Sequence, residues 1–254
     1  MTKHKNKGSK SKTPYRKCST DAKFLGNNGT NNGNYFEQVS DEYYDIVNEY
    51  VDGKLCSSTR YDKSLGCKRI SYFYSDGKPK NVLDIDERGM KKKEVIFQAD
   101  GAIGKKIFYD DFEDVEMVSN YKNNYEHSRI YYKNKDGKNK ILKKIVLFRD
   151  LDGRLRREDV YNESDSLVRE DIYEYTDSAH PKSGRLSERK EWYNNGRTKS
   201  KVEYYENGQE RKRTNYDKNG NKTLEAIYTP NGHIKSLNVN GTNVSRQDDD
   251  LELS

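Results

Sequence analysis

The sequence is poor in the residues from which a thick protein core is built. Hydrophobic residues fill 31% of its 254 positions, charged residues fill 35%, and the mean hydropathy is −1.25. Such a composition cannot fill the interior of a two-layer domain of this length. The longest aliphatic run, residues 145–148, is far too short for a membrane span or a signal-peptide core. We therefore expect a thin, cytoplasmic protein, with export by a non-classical secretion system as the alternative.

Cysteines and catalytic motifs are also scarce. Three cysteines, Cys18, Cys56 and Cys67, argue against a disulfide framework, and the last two fall near opposite ends of one predicted hairpin. No nucleophile elbow, phosphate loop or zinc pattern occurs. The Asp-Leu-Asp-Gly segment at 150–153 resembles the start of a calcium loop but lacks its later ligands. We predict no enzyme activity, no cofactor and no metal site.

What the sequence has instead is a twelve-residue repeat, marked by a glycine that usually follows Asn or Asp. A large apolar residue stands eight positions after nearly every lattice position. The glycines are Gly53, Gly77, Gly89, Gly101, Gly137, Gly153, Gly184, Gly196, Gly208, Gly220 and Gly232. The apolar residues are Tyr61, Phe73, Ile85, Phe97, Tyr109, Tyr121, Tyr161, Tyr173, Trp192, Tyr204, Tyr216 and Tyr228.

One unit of this length accommodates one strand and one turn, because Asn-Gly and Asp-Gly are strong hairpin signals. The pattern predicts an all-β fold: an extended antiparallel β-meander of about fourteen strands, largely a single-layer twisted sheet. A β-propeller is the alternative. Two-residue type I′ turns would place the aromatic series alternately on the two faces, whereas three-residue loops with a bulge would line one face. We predict the alternating arrangement.

Charge divides the chain into three parts. Residues 1–40 are predicted to be a disordered basic and Asn/Gly-rich tail, 41–240 the β-repeat domain, and 241–254 an acidic disordered tail. The register of the repeat breaks near 138–152 and 176–184. Residues 1–25 hold eight Lys/Arg against one Asp, while the repeat domain is nearly neutral. Nucleic acid or anionic lipid is therefore expected, if at all, at the N-terminal tail rather than on the repeat domain.

The Tyr-x-x-Gly units at Tyr193–Gly196 and Tyr205–Gly208 resemble the bacterial variant of the MORN repeat found in YwqK-type antitoxin or immunity proteins. The units ending at Gly220 and Gly232 continue the pattern with one extra residue. Tyr-Asp pairs, as at 216–217, are a weaker likeness to the YD repeats of bacterial surface and toxin proteins. The resemblance implies a repeated β-structure with a binding role and no catalytic residues.

These features predict a non-enzymatic protein–protein interaction module, either an antitoxin or immunity protein or a secreted effector scaffold. Its partner would be a toxin or a host protein. A peripheral binder of anionic membrane or nucleic acid, acting through the basic tail, is the alternative function. Large aromatic residues are good interface anchors. The candidate protein-binding residues are Tyr161, Tyr173, Trp192, Tyr204, Tyr216 and Tyr228.

Overall fold

The computed structural model describes residues 34–135, 138–175 and 184–244, and all regular structure within these ranges is β-strand. Eighteen strands form one sheet, four more than the repeat count predicts. They are β1 (Tyr35–Ser40), β2 (Tyr44–Val51), β3 (Lys54–Asp62), β4 (Lys68–Phe73), β5 (Pro79–Ile85), β6 (Lys91–Phe97), β7 (Ile103–Tyr109), β8 (Val115–Lys122), β9 (Tyr125–Lys135), β10 (Lys138–Arg149), β11 (Leu155–Asn162), β12 (Leu167–Glu174), β13 (Arg185–Trp192), β14 (Thr198–Tyr204), β15 (Glu210–Tyr216), β16 (Lys222–Tyr228), β17 (Ile234–Val239) and β18 (Thr242–Asn243).

Every strand pairs antiparallel with the strand before it and the strand after it, from β1 to β18. The predicted meander is confirmed, and the propeller alternative is wrong because the strands form one continuous sheet rather than separate blades. At ~4.8 Å per strand, the sheet extends roughly 80 Å across its strands.

Most turns differ from the predicted type. In the turn between β4 and β5, the amide of Gly77 donates to the carbonyl of Tyr74 (2.9 Å) and the amide of Tyr74 donates to the carbonyl of Lys78 (2.8 Å). This is a three-residue loop with glycine in the left-handed region, φ 83°. Ten turns of the described chain share the pattern. Two-residue loops with two positive φ values occur at 52–53, 123–124 and 240–241.

The predicted alternation of the aromatic residues holds, but the expectation that three-residue loops with a bulge would line one face is wrong, because the extra residue of the bulge restores the register that a two-residue loop would give. Phe73 lies opposite Pro79 but Tyr72 lies opposite Asn81, so Lys80 is an extra residue in β5. The same shift occurs beside the other three-residue turns. As a result, the fifth residue of one unit generally pairs with the sixth of the next. We call the side of the sheet that carries Leu83 face A and the opposite side, which carries Val82, face B.

Two lattice positions without glycine adopt the same backbone conformation. Glu113 has φ 62° and Asp165 has φ 55°. Left-handed backbone costs a residue with a Cβ about 1–2 kcal/mol, less for Asp than for Glu. The turn therefore dictates this conformation even where the sequence lacks the residue best suited to it.

The first tyrosine of each Tyr-x-x-Gly motif links turns on the same edge of the sheet. The hydroxyl of Tyr193 donates to the carbonyl of Tyr216, and that of Tyr205 to the carbonyl of Tyr228, both at 2.8 Å. Each bond passes over an intervening strand and ends 23 residues further along the chain. The motif tyrosines thus connect alternate hairpins.

The sheet has little core. Among the described residues only five apolar side chains are buried: Ile145, Leu147, Val160, Val202 and Ala226. All five lie on face B by their register with Val82. Half-buried tyrosines and the aliphatic stems of Lys and Arg cover the remaining surface, which is how a chain with so few hydrophobic residues forms a sheet.

The domain boundaries need correction at both ends of the repeat region. Strand β1 begins at Tyr35, inside the segment 1–40 assigned to the tail, and β18 ends at Asn243, beyond residue 240. Residues 1–33 and 245–254 lie outside the described chain, as do 136–137 and 176–183, so the predicted disorder of the tails stays a prediction. The register break near 138–152 coincides with the unusually long strands β9 and β10.

Substitutions at two turn positions should change stability in opposite directions. We expect Gly220→Ala to lower the free energy of unfolding by about 1 kcal/mol, because φ is 92° there. No atom lies within 4 Å of the added Cβ, so the cost is conformational. Asp165→Gly should raise it by about 0.5 kcal/mol, which urea denaturation measures. Equal effects of the same sign would contradict the turn geometry.

Removing a tyrosine hydroxyl that connects two turns should lower the free energy of unfolding more than removing one that donates no hydrogen bond in the described chain. We expect Tyr205→Phe to lower the free energy of unfolding by about 1 kcal/mol, because it removes the hydrogen bond to the Tyr228 carbonyl. Tyr216→Phe is the matched control, since its hydroxyl donates no hydrogen bond within the described residues. Indistinguishable denaturation midpoints for the two variants would show that the link contributes nothing.

Candidate protein-binding surface

The structure divides the six predicted binding residues into two groups of three. Register places Tyr161, Trp192 and Tyr216 on face A and Tyr173, Tyr204 and Tyr228 on face B. All six are half-buried. Opposite faces of a single layer cannot meet one flat partner surface, so these residues do not form one interface. Their role in binding stays a prediction for each group separately.

Two of the three face B tyrosines, Tyr173 and Tyr204, lie near a chain of charged residues. Burial raises the pKa of Tyr173 and the pKa of Tyr204 above their ordinary values. The charges of Arg189 and Asp171 also act on both hydroxyls. These rings therefore shield ion pairs from water, which is a structural task.

The centre of that chain is Asp171, of which only 1% is exposed. The guanidinium of Arg189 on the neighbouring strand donates two hydrogen bonds to it, Nε to Oδ1 at 2.7 Å and Nη2 to Oδ2 at 3.0 Å. The Nε of Arg169 lies 3.2 Å from Oδ2 as an ionic contact without hydrogen-bond geometry. The hydrogen bonds from Arg189 compensate the buried carboxylate and join β12 to β13.

A second buried carboxylate, Asp159, lies on face A and is much less well compensated. Its Oδ1 is 3.1 Å from the Nε of Arg157, again without hydrogen-bond geometry, and its Oδ2 accepts a long 3.5 Å bond from the hydroxyl of Tyr161. Burial raises the pKa of Asp159 above its ordinary value of 3.8 despite the nearby Arg157. The burial of the Asp159 carboxylate is therefore poorly compensated by hydrogen bonds, whereas that of the Asp171 carboxylate is compensated by Arg189.

The most apolar surface lies elsewhere, on face A of the N-terminal half. One row of directly paired residues crosses β2 to β9 and contains a single charged side chain. The row is Val47, Thr59, Ile70, Leu83, Glu94, Ile107, Val118 and Ile130. Nothing in the described chain packs over it, since the sheet is a single layer.

The residues beside this row extend the apolar surface. Phe36 is 52% exposed, Val47 37% and Tyr72 40%, and all three lie on face A. The one carboxylate in the row, Glu94, accepts hydrogen bonds from Asn81 (2.9 Å) and Tyr109 (3.1 Å). Burial, together with that bond, raises the pKa of Tyr109 to about 12. The carboxylate of Glu94 is thus hydrogen-bonded within the sheet. Its neighbours in the row, Leu83 and Ile107, have aliphatic side chains.

The row was not predicted, although the sequence contains a signal for it. From β4 to β8 its members stand at the fifth and sixth positions of successive units, Ile70 and Leu83 for example. A search at one fixed offset, such as the eighth, cannot detect a row whose position alternates. In the C-terminal half the same offsets give Asp171, Arg189, Val202 and Arg213, which lie on face B.

No group of His, Cys, Asp and Glu residues in the described part of the chain has the arrangement of a metal site. Cys56 and Cys67 are free thiols, while Cys18 lies outside the described residues. His127 and His233 are both exposed, each at or near the end of a strand. Over the described ranges, no helix is long and apolar enough to cross a membrane.

Neither a protein-family model nor a curated protein matches the sequence. Solved structures that resemble parts of the sheet include TarM of S. aureus, at 15% identity and TM-score 0.31, covering 38% of this chain and 19% of that one. The Tc holotoxin pore of Photorhabdus luminescens matches at 10% identity and TM-score 0.29, over 85% of this chain and 14% of that one. A porin-like protein from Bacteroides uniformis matches at 7% identity and TM-score 0.24, over 82% and 91%.

At such low similarity no activity or partner of those proteins is transferred to this chain. The chain spans only 19% of the length of TarM. The MORN and YD resemblances stay hypotheses. The antiparallel repeated β-structure that they imply is what the coordinates contain.

Neutralising the two buried carboxylates should have different effects. We expect Asp171→Asn to lower the free energy of unfolding by about 2–3 kcal/mol, because it leaves Arg189 without its counter-ion. Asp159→Asn should cost less than about 0.5 kcal/mol, because burial already disfavours that charge. Thermal and urea unfolding at neutral pH test both changes.

The pH dependence provides a separate check on Asp159. A raised pKa in the folded state means that the native protein loses stability as pH rises from 3.8 through the folded value. Asp159→Asn lacks this loss, so its stability relative to the natural chain should increase across that window. A difference that stays constant or decreases with pH would show that the Asp159 carboxylate is well compensated after all.

Proposed function

We propose that this chain is a non-enzymatic interaction module that binds a partner protein through face A of β2 to β9. The observation that supports the proposal is the uncovered aliphatic row from Val47 to Ile130. Protein interfaces place apolar and aromatic side chains at their centre, surrounded by polar residues. Phe36 and Tyr72 are the exposed aromatic residues beside the row.

The partner would be a folded protein with an apolar patch, since a flat sheet face offers side chains rather than backbone groups. In the more specific form of the proposal the chain is an antitoxin or immunity protein and the partner a toxin. In the other form it is a secreted effector scaffold that engages a host protein. Shape and apolar area serve either role, and neither requires a reaction at the surface.

The test compares substitutions on the two faces of the same strands. Leu83→Gln with Ile107→Gln removes aliphatic surface from face A, and Val82→Gln with Val95→Gln is the matched control on face B. Affinity capture from the native cell, or from host extract, should recover a stoichiometric protein with the natural chain and the control. The amount of protein captured by the face A variant should fall at least tenfold, while its circular dichroism spectrum should still be that of a β-sheet.

Two results would overturn the proposal. One is equal capture of the protein by both double variants, which would place the interface away from face A. The other is recovery of nucleic acid or lipid with no protein. Gene neighbours then separate the two specific forms, because an adjacent toxin gene supports immunity and capture only from host extract supports an effector.

A further inference from the structure

The β9–β10 hairpin projects beyond its neighbours. The ladder to β8 stops at Tyr131, which pairs with Met117, and the ladder to β11 begins at Lys143, which pairs with Asn162. Residues 132–134 and 138–142 therefore pair only within the hairpin. We call these residues the ribbon; its tip at 136–137 lies outside the described chain. The ribbon lies at the start of the first break in the twelve-residue repeat, near 138–152.

The lysines of the ribbon share one face. Lys133 and Lys140 lie directly opposite each other, and Lys138 is two residues further along on the same side, face B. A bulge at Leu142 keeps Lys143 on this face as well. Lys133, Lys138 and Lys140 are exposed, and no described carboxylate forms an ion pair with them. Like charges directly opposite each other destabilise a sheet, so a bound polyanion would relieve a repulsion built into the ribbon.

The basic surface continues from the ribbon across face B of the sheet. One paired row runs over eight strands from β10 to β3 and contains four cations and two aromatic rings. Its members are Lys143, Tyr131, Met117, Phe108, Lys93, Asp84, Arg69 and Arg60. The ammonium of Lys143 is 5.3 Å from the ring centroid of Tyr131, and that of Lys93 is 5.9 Å from that of Phe108.

Asp62, Asp84 and Glu126 lie on this side, each near a guanidinium. Asp84, the one in the row, accepts two hydrogen bonds from Arg69 at 2.6 and 3.1 Å. The adjacent face B row adds Lys106 and Arg129, and Arg129 donates two hydrogen bonds to Glu126 at 2.9 and 2.6 Å. The acidic turn at 110–114 contacts the ribbon through Asp114 and Asn134, and Asn134 points to face A. Within the described chain, the cations of this side that form no ion pair include Lys93, Lys106 and Lys143 together with the lysines of the ribbon.

A nucleic acid fits this surface better than a membrane does. The exposed aliphatic residue Ile141 and its partner Tyr132 lie on face A of the ribbon, whereas the lysines lie on face B. A bilayer in contact with the lysines would therefore not bury these two apolar side chains. Cations interleaved with aromatic rings over roughly 35 Å match the way proteins follow single strands, with phosphates on the cations and bases on the rings.

We propose that face B, from the ribbon to β3, binds single-stranded nucleic acid without sequence preference. Lys133, Lys138 and Lys140 take phosphates at one end, and Lys93 and Arg60 take them further along. The rings of Tyr131 and Phe108 stack on bases when the ammonium groups of Lys143 and Lys93 move from the rings to phosphates. This site is independent of the protein-binding surface on face A and of the basic N-terminal tail.

The test removes three ribbon charges from the full chain. Lys133→Gln, Lys138→Gln and Lys140→Gln are combined, and the control combines Lys54→Gln, Lys218→Gln and Lys235→Gln, three exposed lysines with no ion pair in the described chain. Both variants lose the same net charge and retain the tail. Fluorescence anisotropy with labelled 20-nucleotide RNA and DNA strands of mixed sequence is measured over a series of KCl concentrations.

We expect the ribbon variant to bind about tenfold more weakly or worse and its salt slope, log K against log [KCl], to decrease by about 2, since each phosphate contact contributes about 0.7. The control should bind within twofold of the natural chain. Equal losses in the two variants would assign binding to the tail and overturn the proposal. A ribbon-specific loss on phosphatidylserine vesicles, with nucleic-acid affinity unchanged, would assign the surface to membranes and also overturn it.

Discussion

Every other feature of this protein depends on the backbone register between neighbouring strands. At most turns a three-residue loop with one left-handed residue is followed by a bulge of one extra residue, so four residues, an even number, separate the regular ladders. The fifth residue of one unit therefore meets the sixth of the next, and each row of side chains crosses the sheet on one face. A change of one residue at any turn would exchange the faces of all strands that follow.

The chain uses this constraint differently in its two halves. From β2 to β9 the central row is aliphatic and uncovered, with Ile107 and Val118 as examples. From β11 to β17 the row at the same offsets is on the opposite face and contains Asp171 and Arg189 beside Val202. The exchange occurs around β9 and β10, where a two-residue loop at 123–124 and the projecting ribbon disturb the repeat. The C-terminal half is stabilised within the layer by ion pairs and leaves less apolar surface exposed.

A single layer makes both faces available, and that availability is the basis of both proposed surfaces. Face A of the N-terminal half combines aliphatic area with few unpaired charges, which suits another protein. Face B of the same strands combines lysines with rings and suits a flexible polyanion. Neighbouring residues such as Val82 and Leu83 thus belong to different surfaces although one peptide bond separates them.

Much of the fold was predictable, because glycine and Asn/Asp spacing is a local signal that acts within one turn. The meander and a register break near 138–152 follow from it. The alternation of Tyr204 and Tyr216 between faces was predicted from two-residue turns, whereas three-residue turns with a bulge produce it. The type of turn at Gly77 was not predictable, since the same Asp-Gly pair occurs in two- and three-residue loops. Strand β1 was missed because the segment before it is basic and rich in Asn and Gly, so its residues were assigned to the tail.

The candidate surfaces were harder to predict from the sequence, because they depend on residues that are distant in sequence. Tyr161 and Tyr173 look equivalent along the chain, yet they face opposite sides of the layer. Composition showed a nearly neutral repeat domain, and only the strand register places Lys133 beside Lys140 and Lys93 beside Phe108 on one face. The sequence by itself determined the period, the strand-and-turn unit and the thinness of the sheet, all of which are local or compositional. The tertiary structure decided which side chains meet, because a row is the sum of every loop and bulge before it.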